Sequence, residues 1–162
     1  MQSALILQLL LLLAVANGTP VLAKWILGAA FDRPLDGGVC LGDGYRLFGP
    51  SKTIRGIVLA MLATTTCAAL IGLGWKVGAV LGSVAMAGDL VSSFAKRRMG
   101  LPASSMALGL DQVPESLFPL LACRSLLPLT LLDIGVAVVL FLVGELILSR
   151  ILFKLRVRDR PY

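Results

Sequence analysis

Apolar and polar positions divide the chain into long apolar windows, separated by two glycine-rich polar stretches and closed by a basic tail. A bilayer core about 30 Å thick takes roughly 20 apolar residues per helix. Windows of that kind cover residues 4–23, 57–75, 77–95 and 128–152, and a shorter one at 110–124 carries Pro114 and Pro119. Around the third window Gly74, Gly78 and Gly82 recur at intervals of four, a spacing that lets membrane helices approach closely. Steps of three and four continue that face through Ala85 to Asp89, Ser93 and Lys96. Asp89 is therefore predicted to point into a helix bundle, about 10 Å below Lys96 along the axis. The pattern predicts an all-α integral membrane protein with about five transmembrane helices in a single domain over residues 1–162.

Composition supports this class, since 57% of the 162 residues are hydrophobic and the mean hydropathy is +0.91. So much apolar surface needs lipid against it. Charge then orients the chain. Arg33, Arg46, Lys52 and Arg55 lie between the first two windows, Lys96, Arg97 and Arg98 follow the third, and Arg150, Lys154, Arg156, Arg158 and Arg160 follow the last. If 110–124 spans, all three clusters share one side and only Lys76 and Arg124 face the other. Cations favour the cytoplasmic side of short loops, so the N-terminus is expected outside, with both loops and the C-terminus cytoplasmic in a multi-pass cell-membrane protein. The first window ends in Val-Leu-Ala like a cleavable signal, but it lacks a basic leader and is read as a permanent helix. A net charge of +6 is explained by these anchors and by anionic lipid heads, with no nucleic acid partner needed. Cys40, Cys67 and Cys123 are scattered and the chain has no histidine, which argues against zinc.

Ionisable residues within spans are costly and are functional candidates by default. Asp89 qualifies; its plainer role is an ion pair with Lys96, Arg97 or a basic residue of another helix. Asp133 has no obvious local partner, and Glu145 is close enough to Arg150 to pair with it. Asp111 and Glu115 share one helix face, where like charges repel unless a cation bridges them. With Asp89 arriving from the same side, three carboxylates converge in this reading. An oxygen-only donor set suits Mg²⁺, which keeps several waters and shares its shell with substrate phosphates. N-terminal capping by Asp111 and a favourable helix-end charge for Glu115 compete with that role. The stretch Gly49-Pro-Ser-Lys-Thr-Ile-Arg-Gly56 departs from a Walker loop, yet Gly49, Lys52, Thr53 and Arg55 offer close backbone approach and donors for phosphate oxygens. Phosphate donors beside metal-capable carboxylates at lipid-head depth point to a reaction between a polyphosphate and a lipid head group.

The ordered stretches Leu35-Asp-Gly-Gly, Asp43-Gly-Tyr-Arg-Leu-Phe-Gly, Lys52-Thr-Ile-Arg-Gly, Gly88-Asp-Leu-Val-Ser-Ser-Phe-Ala-Lys-Arg-Arg98 and Asp111-Gln resemble the archaeal CDP-archaeol synthases, small membrane relatives of the CDP-diacylglycerol synthases. The resemblance covers nearly the whole chain. It implies Mg²⁺-dependent transfer of CMP from CTP to digeranylgeranylglyceryl phosphate, with release of pyrophosphate. In the roles it implies, Asp89, Asp111 and Lys96 are catalytic and Asp89, Asp111 and Glu115 hold the metal. Gly49, Lys52, Thr53, Arg55, Ser93, Lys96 and Arg97 bind CTP or lipid phosphate. The bacterial signature carries a Pro-Gly-His-Gly-Gly segment and then Asp-Arg-x-Asp, where this chain has Met106-Ala-Leu-Gly-Leu-Asp-Gln-Val-Pro-Glu115.

Two other classes compete. A CDP-alcohol phosphotransferase would show Asp-Gly-x-x-Ala-Arg and two spaced aspartates on the next helix, which are absent. A small transporter or channel subunit would place Asp89 on an ion path, with inverted repeats or broken helices around a mid-membrane site. The glycine-lined third span suits packing within one chain or between two copies, so a homodimer remains open.

Overall fold

The computed structural model describes residues 2–103, 105, 107 and 109–156. Met106 and Leu108 of the second loop and Arg158 and Arg160 of the basic tail lie outside the described residues. Five helices follow in order: α1 (Ser3–Leu27), α2 (Ile54–Leu70), α3 (Trp75–Arg98), α4 (Gln112–Cys123) and α5 (Leu131–Lys154). The predicted all-α architecture is present, with α1, α3 and α5 long and apolar enough to cross a membrane. Leu7, Leu62, Leu131, Val139 and Ile147 are among many large apolar side chains left outside, as a lipid-facing bundle requires. Inside, Leu9, Leu12 and Leu13 of α1 pack with Ala60 of α2, Leu81 and Ala85 of α3, and Leu120 of α4.

The two ends of the bundle differ. At one end, the Gln2 backbone amide and side chain donate to Asp133 and to the Pro128 carbonyl, and Gln8 donates to the Ile71 carbonyl, so the start of α1 meets the end of α2 and the start of α5. At the other end, Arg55 at the head of α2 donates to the Gly28 carbonyl just past α1, and Arg98 at the end of α3 pairs with Asp43 in the first loop. Among the described residues, both polar loops and the members of all three basic clusters therefore lie at one end, as the charge pattern predicts.

Glycine sets two close helix approaches. A Cβ on Gly78 would fall 2.5 Å from the Thr64 carbonyl oxygen of α2, and one on Gly88 would fall 2.3 Å from the Pro114 carbonyl oxygen of α4. Gly82 also packs on Thr64, so Gly78 and Gly82 are used within the chain. Gly74 departs from the predicted stripe: at φ +85° it forms the turn into α3 and faces open space.

The short fourth window is a half-length helix. α4 has 12 residues, about 18 Å of helix, which is well short of the bilayer core. Contact between Gly88 and Pro114 puts its first turn beside Asp89, nine residues before the end of α3 and therefore about 14 Å inside it. The described residues between Met99 and Asp111 make that descent without regular helix. Non-helical backbone at such depth persists only where protein or a polar cavity satisfies it. Here Lys96 Nζ donates to the Ser105 carbonyl, Arg97 donates to the Pro102 carbonyl, and Gln112 accepts from the Gly109 amide.

Asp133, which had no partner in the sequence reading, forms a reciprocal cap with Thr130 at the start of α5. The Thr-x-x-Asp spacing is a capping-box signal that was present in the chain.

Candidate active site

The first loop positions the site through Asp36. Its carboxylate is fully enclosed, pairs with Arg46, and accepts the backbone amides of Gly38, Phe48 and Gly49 at 3.0, 3.2 and 2.9 Å. Burial alone would raise its pKa, but Arg46 and the three amides outweigh that and hold it well below the ordinary carboxylate range. The Arg46 guanidinium is correspondingly held charged above its usual value. Short pairings of Leu35 with Lys52 and of Ile54 with Arg33 close the loop onto the head of α2. Gly49 sits at φ +100°, a conformation that disfavours a side chain, and its Cα faces the Arg97 side chain and Ala103.

From this frame Lys52 reaches into the bundle. Its ammonium donates to both carboxylate oxygens of Asp89, at 2.5 and 2.6 Å. The partner of Asp89 thus comes from the first loop, 37 residues upstream, rather than from Lys96, Arg97 or a basic residue of another helix. Lys96 instead pairs with Asp111, at 2.6 Å to Oδ1, while Asp111 Oδ2 accepts the Ala107 amide. Asp111 makes no side-chain cap to α4, so the capping role considered for it is not the one adopted. Glu115 is buried within hydrogen-bonding reach of Asp89, and Glu145 of α5 is near enough to act electrostatically on Glu115. Burial opposes the charge on Lys52, but Asp89, Glu115 and Asp111 together more than offset it and keep the ammonium protonated.

The remaining predicted residues separate into two groups. Ser93 and Arg97 are buried on the α3 face that holds Asp89 and Lys96, and Arg97 Nε is enclosed with no hydrogen-bond partner among the described residues. Thr53 Oγ1 accepts the Gly56 amide as the cap of α2. Arg55 is committed to the end of α1, donating to the carbonyls of Gly28 and Ala30 and pairing with Asp32 at 3.3 Å. The structure therefore unites Lys52, Asp89, Lys96, Asp111 and Glu115, while it engages Thr53 and Arg55 in local structure.

Sequence reasoning did not find Asp36, Arg46 or the Asp43–Arg98 pair at 2.5 Å. The local signal for Asp36 was the following Gly37-Gly38, whose positive φ angles let the chain turn back over the carboxylate.

Among the described residues, no three His, Cys, Asp or Glu side chains form a ready chelating cluster. Convergence of the carboxylates is only partial, because a lysine occupies each aspartate. The donors nonetheless fit magnesium: all are oxygens, Asp89 and Glu115 are adjacent, and one or two carboxylates plus substrate phosphates complete such a shell.

A multi-pass helical membrane protein whose two loops bring lysines and carboxylates together inside one end of the bundle falls in the class of intramembrane enzymes. The model of the CarS-like CDP-archaeol synthase family matches residues 3–162, and the chain belongs to this family. It is 36% identical over 143 residues to a CDP-archaeol synthase of Thermococcus onnurineus, with 82% of this chain and 79% of the relative aligned. It is 47% identical over 91 residues to a CDP-archaeol synthase of Methanopyrus kandleri, a match that spans half of each chain. A solved structure, described as an intramembrane enzyme for archaeal membrane lipids biosynthesis, superposes with a TM-score of 0.71 at 32% identity. That match covers 88% of this chain and 90% of the other.

Proposed function

We propose that this protein is a CDP-archaeol synthase of the cell membrane, which transfers CMP from CTP to an unsaturated archaeal ether-lipid phosphate and releases pyrophosphate. The observation that carries the reading is the meeting of Lys52 with Asp89 and of Lys96 with Asp111 inside the loop-bearing end of a lipid-facing bundle. Family membership agrees with it, and nothing favours the transporter alternative.

In the proposed reaction an oxygen of the lipid phosphate attacks the α-phosphorus of CTP. A new P–O bond forms as the bond to the β-phosphate oxygen breaks, and pyrophosphate leaves with that electron pair. The nucleophile is already anionic, so no strong base is required. What is required is positioning and neutralisation of charge. Lys52, Lys96 and Arg97 supply donors for the phosphates, and Ser93 lies one turn before Lys96 and Arg97 on the same face of α3. Gly49 leaves room beside Arg97 for close approach. Asp89 and Glu115, with Asp111, would hold Mg²⁺, which supplies charge neutralisation on the phosphates when bound. The first turn of α4, held beside Asp89 by the Gly88–Pro114 contact, brings Glu115 to the polar site inside the bundle.

Pyrophosphate release by the purified protein in detergent, with Mg²⁺, CTP and digeranylgeranylglyceryl phosphate, tests this reading. Release that depends on both substrates is expected. Release from CTP alone, or none with ether-lipid and ester-lipid phosphates alike, would remove the proposed activity.

A further inference from the structure

Lys52 spends both of its described hydrogen bonds on Asp89, one to each carboxylate oxygen. A lysine serving only as a phosphate donor would leave the carboxylate free, and a lysine serving only as a structural partner would be sealed in. Neither description fits. The Lys52 side chain is 22% exposed and that of Asp89 is 20% exposed, so the protein does not fully enclose the pair. Lys96 differs: only 10% of its side chain is exposed, and it holds the Ser105 carbonyl as well as Asp111. Of the two lysines, Lys52 is held by one residue rather than two and is the less enclosed. It also rises from the loop segment that begins at Gly49, next to the enclosed Arg97 Nε that lacks a partner.

An ammonium bridging both oxygens of a carboxylate occupies the position between them, so a divalent cation that takes that position must displace it. Removing the ammonium while nothing replaces it would leave Asp89 beside Glu115 uncompensated, which is strongly unfavourable in a buried site. We propose that Lys52 is a placeholder cation: it neutralises Asp89 in the resting protein, and when metal and nucleotide arrive together it gives up the carboxylate and transfers its hydrogen bonds to phosphate oxygens. The inference rests on the reading of Asp89 as a metal ligand and adds an order to loading. Metal alone binds weakly because it must evict Lys52 with no new partner for the ammonium. Metal with nucleotide binds well because the triphosphate receives it.

Mn²⁺ binding, read from loss of the free-ion electron paramagnetic resonance signal without nucleotide or turnover, tests this on the full chain. Lys52→Met is expected to bind Mn²⁺ at least tenfold more tightly than wild type, and Asp89→Asn to lose it. Lys52→Met is also expected to bind CTP at least tenfold more weakly in the presence of Mg²⁺. Lys52→Gln, which keeps a donor toward Asp89, replaces it should the methionine variant fail to fold. Equal or weaker Mn²⁺ binding by the lysine variants, with the ion still lost in Asp89→Asn, overturns the placeholder role alone. Unchanged CTP affinity also overturns it, because the ammonium then has no phosphate to receive it. Retention of Mn²⁺ by Asp89→Asn overturns both the exchange and the metal-ligand reading beneath it.

Discussion

Lys52 and Asp89 lie 37 residues apart in the chain and 2.5 Å apart in the fold. The sequence marked both as functional candidates but could not pair them, because helical spacing relates only residues on one element. It placed Lys96 one face with Asp89, whereas the flexible lysine stem reaches across to Asp111. Asp89→Asn is expected to lower pyrophosphate release about 100-fold or more, the scale of losing a preorganised electrostatic contact, while circular dichroism stays helical. Asp36 is the residue whose loss should be felt as stability. Asp36→Asn removes charge-assisted bonds that individually contribute about 1.5–3 kcal/mol, and its thermal midpoint in detergent should fall accordingly. Because the folded pKa lies below the unfolded one, the carboxylate stabilises fully above the unfolded value of about 4, and that contribution is lost as pH falls toward the folded value. The gap in midpoint between wild type and Asp36→Asn should therefore be constant near neutrality and shrink below about pH 4; a gap that widened in acid would refute the assignment.

Helices were the most legible elements, because length and apolarity suffice for α1, α3 and α5. The glycine stripe gave the close faces of α3 but not their partners, and Gly88, which admits α4, lay outside the stripe. Gly88→Ala is expected to push α3 and α4 apart, since the new carbon would meet backbone that cannot rotate away. A loss of about 1–3 kcal/mol, together with most of the activity, is the expected result of such overpacking beside Asp89. Gly144→Ala on α5 meets open space and should be neutral or slightly stabilising in the same thermal assay. At the start of α5, Thr130→Ala should cost about 1 kcal/mol through loss of the cap, without changing metal or nucleotide binding. The half-length α4 was the least legible helix, because its window is short and interrupted by Pro114 and Pro119 and is preceded by turn formers. Tertiary hydrogen bonds from Lys96 and Arg97, invisible in the local pattern, hold that segment.

At the scale of the molecule, charge along the chain anticipated that both loops and the basic clusters share one end, and the helix connections arrange them so. The sidedness of that end is open to direct measurement, since Cys40 in the first loop is exposed, Cys67 is half-buried and Cys123 is buried. A membrane-impermeant maleimide is expected to label Cys40 from the cytoplasmic face only; labelling from outside intact cells would reverse the topology. The molecule as a whole is a lipid-facing bundle with Asp89 about 14 Å inside one end, where lysines and carboxylates are held in pairs. The most direct test of that account follows the label of CTP radiolabelled at the α- or the γ-phosphate, in the presence of Mg²⁺ and digeranylgeranylglyceryl phosphate. The account predicts that α-label enters the lipid phase, that γ-label leaves only in pyrophosphate, and that Asp89→Asn abolishes both. Transfer of γ-label to the lipid, or undiminished transfer by Asp89→Asn, would contradict it.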